Sequence, residues 1–137
     1  MRLDEHLRAH GFLRVERPPL LWAADADAGP FGRLLDGVLA LGRRRGNEPD
    51  NLTVNLANVT VGRTAAGAHL PVGEYVAVTV RGPGGWGPDA RWWPGAAPAG
   101  GLLAELAGAL GAAGARFAYA RDLSREGSVT VYFGRLG

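Results

Sequence analysis

Valines recur at every second position over Val76, Val78 and Val80, with Tyr75, Ala77, Thr79 and Arg81 on the other parity. Period two separates the faces of a β-strand, so this stretch is predicted to be a strand with two chemically different sides. The valine side needs an apolar layer and should meet helices. The other side mixes an aromatic ring, a small residue, a hydroxyl and a cation, a set that suits a cleft better than a dry core. The next stretch reads Gly82-Pro83-Gly84-Gly85-Trp86-Gly87-Pro88. Its glycines and prolines break any regular ladder, so no strand or helix is expected from there to Gly101. Trp86, Trp92 and Trp93 nevertheless fall in this loop. Loops this long in a compact domain are functional or unstructured, and such apolar area argues against the second.

A helical period appears over Phe31 to Arg45. Phe31, Leu34, Leu35, Val38, Leu39 and Gly42 form one stripe, Pro30 suits the first helical position, and Gly46 suits the stop. Leu102 to Ala113 repeats the pattern with Leu102, Leu103, Leu106, Leu110 and Ala113, weakened by interior glycines. Residues 2–10 make a short amphipathic helix through Leu3 and Leu7, ending at Gly11. Strands are expected in Phe12 to Ala24, interrupted at Pro18-Pro19, in Asn51 to Val61, and in Phe117 to Ala120 and Val129 to Phe133. Asp122 to Gly127 would be the loop of the last hairpin. Tyr119 shares parity with Phe117, and Tyr132 opposes Val129, Val131 and Phe133. In Asn51 to Val61 the apolar parity changes at Leu56-Ala57, which asks for a bulge or a change of partner.

The order is then βαβ followed by βαββ after a short N-terminal helix. It predicts one α+β domain over residues 1–137, with a mainly antiparallel sheet covered by two helices, or on a finer reading two strand-helix-strand-strand units. At 137 residues the chain is long enough for a real core.

Composition narrows the chemistry. There is no Cys, which removes disulfides, thiol catalysis and cysteine metal sites. Lys, Ile and Gln are also absent, as expected of GC-rich bacterial coding. A net charge of +2 is too small to point to nucleic acid. The run Arg43-Arg44-Arg45 is explained by the negative end of a helix dipole. No run approaches the ~20 apolar residues of a membrane span, and no signal-peptide pattern opens the sequence. These features lead us to expect a soluble cytoplasmic protein that admits a homodimer. His6 and His10 share a helix face at a spacing zinc sites use, but no third ligand is near in sequence, so neither a metal nor a cofactor is expected.

Pro71-Val72-Gly73-Glu74-Tyr75, followed by Val76-Ala77-Val78 and closed by Arg81-Gly82-Pro83, resembles the gyrase-inhibitor-like (GyrI-like) small-molecule-binding domains. Their second unit opens with a Pro-x-Gly-x-Tyr strand ending in Gly or Gly-Pro, and Tyr75 matches the tyrosine. The resemblance implies two strand-helix-strand-strand units around a cleft for aromatic or cationic small molecules. The roles it implies are sensing, sequestration as in drug resistance, or occasionally hydrolysis. The glutamate those domains carry near the last strand has no counterpart in Ser128 to Tyr132.

From the residues themselves, the expected function is binding of a bulky apolar or aromatic small molecule. Its candidate ligand-binding residues are Tyr75, Arg81, Trp86, Trp92, Trp93 and Trp22, with Arg91 also able to pair with an acidic group. A hydrolase would need a base. Glu74 and Glu105, and beyond them Asp89 and His69, are the weak candidates, none of them in a recognisable catalytic spacing. A third reading is a protein-interaction or immunity-type module that uses the Trp loop as its contact.

Overall fold

The structure, a computed structural model, describes residues 1–44, 46–48, 50–62, 70–83, 92–94, 102–123 and 126–137. The elements run α1 (Leu3–Ala9), β1 (Arg14–Glu16), α2 (Ala28–Arg43), β2 (Thr53–Val61), β3 (Gly73–Gly82), β4 (Trp92–Trp93), α3 (Leu102–Ala113), β5 (Ala115–Leu123) and β6 (Glu126–Gly134). One six-stranded sheet has the order β1-β2-β3-β6-β5-β4. β1 runs parallel to β2, and every other pairing is antiparallel. The fold is α+β, and after α1 the element order is strand-helix-strand-strand twice. The two units meet where β3 pairs with β6, from Tyr75 opposite Gly134 to Gly82 opposite Gly127. The Pro71-to-Tyr75 strand therefore closes the first unit, whereas the sequence pattern had it opening the second.

α2 buries Phe31, Leu34, Leu35, Val38, Leu39 and Gly42, the stripe expected from its periodicity. It begins at Ala28, ahead of the expected Pro30. Phe31 N–H already bonds Asp27 C=O at 2.8 Å, and Pro30 is tolerated because first-turn amides have no partner within the helix. Past Arg43 the chain turns at Gly46, whose φ of +80° suits glycine. Gly46 N–H bonds Arg43 C=O and Asn47 N–H bonds Gly42 C=O, a Schellman closure. The arginines at this end pair with acids. Arg44 meets Glu105 of α3 at 3.3 Å and Arg43 lies 3.8 Å from Glu48; Arg45 lies outside the described residues.

The core lies between these helices and one sheet face. Val76, Val78 and Val80 of β3, Val129, Val131 and Phe133 of β6, and Val54 and Leu56 of β2 join Phe31, Leu34, Leu35 and Val38 of α2 and Leu106 and Leu110 of α3. Phe31 and Phe133 meet edge to face, centroids 5.6 Å apart. A void of about 20 Å³ lies among these side chains. Leu3 and Leu7 seat α1 on the same core. The buried Asp4 carboxylate is held by Arg2 at 3.3 Å and Arg17 at 3.2 Å, which ties α1 to the segment after β1. At the far end of α2, the fully buried Asn47 and Leu52 pack against Gly82, where a Cβ would collide with both.

Four expectations need correction. β2 pairs β3 in unbroken register from Thr53–Arg81 to Val61–Gly73, with no bulge at Leu56-Ala57. Its parity changes because both faces are partly covered along its second half. Val61 is buried on the side away from the helices, while Asn58, on the helix side, brackets residues 20–22 through Trp22 N–H at 2.9 Å and Leu20 C=O at 2.7 Å. The irregularity falls instead in β5, between Ala115 and Phe117. The last hairpin is longer than expected, since Asp122, Leu123, Glu126 and Gly127 all belong to the ladder. Finally, Trp92 and Trp93, placed by the sequence in a loop, form a two-residue edge strand on β5. Two residues are too few to show a period. Phe12 to Ala24 supplies only β1 and an isolated bridge from Ala24 to Arg135, as the prolines allow.

Leu35→Ala should lower unfolding free energy by about 2–5 kcal/mol, whereas Leu20→Ala, at an 83% exposed position, should change it by less than about 0.5 kcal/mol, both read from urea denaturation. Arg44→Ala removes an exposed pair and should lose no more than about 1 kcal/mol, with salt masking the difference. Gly82→Ala should destabilise by about 1–3 kcal/mol through overpacking against Asn47 and Leu52.

Candidate functional site

Because β3 turns its valines to the helices, Tyr75, Ala77, Thr79 and Arg81 lie on the opposite face of the sheet. Residues opposite one another in a ladder share a face, so the register extends this surface. Ala57, Ala77, Tyr132 and Phe117 form one cross-strand row. Asn55, Thr79, Thr130 and Tyr119 form the next, with Glu16 at its β1 edge and Trp92 at its β4 edge in the pairing. Thr53, Arg81 and Ser128 form the third. None of the described helices packs on this face.

The bulge in β5 makes the aromatic part of this surface possible. Ala115, ahead of the bulge, faces the core, and so do Ala118 and Ala120 after it. The extra residue shifts the parity, so Phe117 and Tyr119 turn to the face without helices, the re-aiming that bulges achieve. Tyr132 is the centre of the resulting cluster. Its ring centroid lies 6.4 Å from Tyr75, 6.0 Å from Phe117 and 6.4 Å from Tyr119. Tyr75 donates its hydroxyl to Pro71 C=O at 2.7 Å, which fixes its ring at the start of β3. Beside the rings, the Thr79 and Thr130 hydroxyls bond each other at 3.0 Å. Tyr75 is 7%, Phe117 5% and Thr130 4% exposed, so the base of this surface is largely shielded from water.

Of the residues singled out in the sequence, Tyr75 and Arg81 stand on this face. Trp93 pairs opposite Ala118 on the helix side and packs against the core, near Gly111 of α3. Trp22 is half-buried at the sheet end that carries the start of β3 and the end of β6, with the Arg135 guanidinium 4.2 Å above its ring. Trp92 contributes its backbone to β4. Trp86, Arg91, His69 and Asp89 lie outside the described residues. Glu74 holds Arg135 at 2.8 Å and Glu105 holds Arg44, so both carboxylates are engaged away from the aromatic cluster. His6 meets Phe31 edge to face and His10 meets Asp36 at 3.2 Å. Among the described residues no three His, Asp or Glu come together as a metal group.

The sequence list lacked Tyr132, Tyr119, Phe117 and Thr130, while Asn55 was among several asparagines that could line a concavity or lie at a strand edge. Tyr132 carried a readable signal, an aromatic residue on the parity opposite three apolar core positions. Phe117 and Tyr119 did not, because their face depends on the bulge.

A concavity of about 680 Å³ opens between residues 25–28 and 113–116, with Arg116 4.0 Å from Asp25. Its wall is alanine, glycine and two aspartates, which gives a ligand little apolar grip. No described helix is long and apolar enough to cross a membrane. Comparison with known proteins gives no matching family model, no matching curated protein and no matching solved structure.

The hydroxyl pair can be tested directly. Thr79→Val or Thr130→Val alone should destabilise by about 1 kcal/mol, because it strands the other hydroxyl, while the double variant should recover most of that loss in the same melts.

Proposed function

We propose that the face without described helices binds a bulky apolar or aromatic small molecule, in a cleft floored by β3, β6 and β5 and completed by the Trp-containing loop. The supporting observation is the four-ring cluster centred on Tyr132, set beside a hydroxyl pair and the Arg81 cation. Aromatic walls with a few placed polar groups are the usual make-up of small-molecule sites. Tyrosine rings add stacking to burial, and a guanidinium can stack or hold an acidic substituent. Effector sensing, drug sequestration and self-resistance need binding without turnover, whereas the hydrolysis that the GyrI-like resemblance also implies needs a free base. The pairing of Glu74 with Arg135 and Glu105 with Arg44 favours the former.

The test is fluorescence titration and thermal-shift screening of planar aromatic compounds carrying neutral, cationic or acidic substituents. For a compound that binds, Tyr119→Ala and Trp86→Ala should each weaken affinity at least tenfold, about 1.4 kcal/mol. Trp93→Ala should act mainly on stability, because its ring packs on the core. If no compound binds while Tyr119→Ala disrupts a stable complex with a protein partner, the face is an interaction surface and the small-molecule reading falls.

A further inference from the structure

We infer that Asn55 is a specificity-determining residue of this face, and that it selects aromatic ligands carrying an O–H or N–H donor at one end. The inference rests on the binding reading above and adds to it which ligands are taken. Asn55 sits in the interior of β2, where asparagine is a poor strand former. Its Oδ1 is closed off from water, and no donor among the described residues reaches it. The neighbour across the ladder is Thr79, but that hydroxyl is turned to Thr130 at 3.0 Å. Two other asparagines of the first unit, Asn58 on the helix side and Asn51 ahead of β2, behave differently. Asn58 Oδ1 accepts from Trp22 N–H at 2.9 Å, and Asn51 Oδ1 accepts from Glu48 N–H at 2.9 Å. Asn55 thus combines a residue type unfavourable in a strand with a buried acceptor left unmatched. Local violations of this kind are expected where a residue serves a ligand.

The register also sets the size of that ligand. Asn55 lies on β2 and the centre of the ring cluster lies on β6, with β3 between them. At about 4.8 Å per strand, the acceptor is about 10 Å across the sheet from Tyr132. A molecule that stacks on the tyrosines and reaches Asn55 is therefore at least two fused rings long, with its donor at the end away from the stack. A ligand that brings the donor satisfies an acceptor left unpaired in the ligand-free protein, and an analogue lacking the donor forgoes that hydrogen bond.

Three naphthalenes test this by NMR titration: 2-naphthol carries the donor, naphthalene lacks it, and 2-methoxynaphthalene has it capped. The expected result is that 2-naphthol binds about tenfold more tightly than the other two, and that Asn55→Leu brings all three to similar affinity without lowering Tm. Should Asn55→Leu fail to fold, Asn55→Val, which suits a strand and carries no acceptor, provides the same comparison. Equal binding of the three by the unaltered protein overturns the role of Asn55 and leaves the aromatic face standing. Binding by none of them overturns the reading of the face, and this inference with it.

Discussion

The ladder between β3 and β6 imposes one alternation on the whole sheet. Val76, Val78 and Val80 meet Phe133, Val131 and Val129 row by row, and this doubled apolar face is what α2 and α3 cover. A strand cannot turn one set of side chains inward without turning the other outward. Once the valines are buried, Tyr75, Thr79 and Arg81, with Tyr132 and Thr130 beside them, must share the reverse face. The aromatic surface is a geometric consequence of core packing, and a slip of one residue in this ladder would destroy both together. The two strand-helix-strand-strand units are alike in element order and differ in direction: β1 lies parallel to β2, but β4 lies antiparallel to β5.

The helices and the central strand were legible because their signals are local. The stripe from Phe31 to Gly42 fits one helical period, and the valines of β3 fit one strand period, so each segment names its own buried face. Features that depend on pairing were not legible. The bulge at Ala115 to Phe117 is visible only against β6, and the β4 pairing only against β5. In β2, apolar residues on both parities suggested a bulge, whereas the strand is regular and has cover on both sides. Of the candidate site, Tyr75 and Arg81 follow from strand parity alone. Tyr132 could have been added by the same argument, while the part proposed for Asn55 rests on the three-dimensional course of the Thr79 hydroxyl.

Tryptophans were the strongest compositional signal, and the structure gives the described indoles separate tasks. Trp93 closes the core beside α3, and Trp22 lies under Arg135 at one end of the sheet. The face without described helices is furnished instead by tyrosines, a phenylalanine, hydroxyls and an amide. That difference matters chemically, because a phenol ring offers both a stacking surface and a hydrogen-bonding edge.

The sheet order has a bearing on how the chain reaches its fold. β6 is the last of the six strands in chain order, yet it sits at the centre, between β3 and β5. While the chain is being synthesised, the first unit can assemble β1, α2, β2 and β3 but must wait with one long edge of β3 bare. That edge is rich in valine and carries open backbone donors and acceptors, the kind of surface on which strands from other chains add. The hazard ends only when β6 docks, which joins residues 45 to 59 positions apart and is slow for that reason. Loss of the C-terminal strand would therefore leave two separate half-sheets with sticky inner edges, so any intact first unit should depend on chaperones until the final strand is in place.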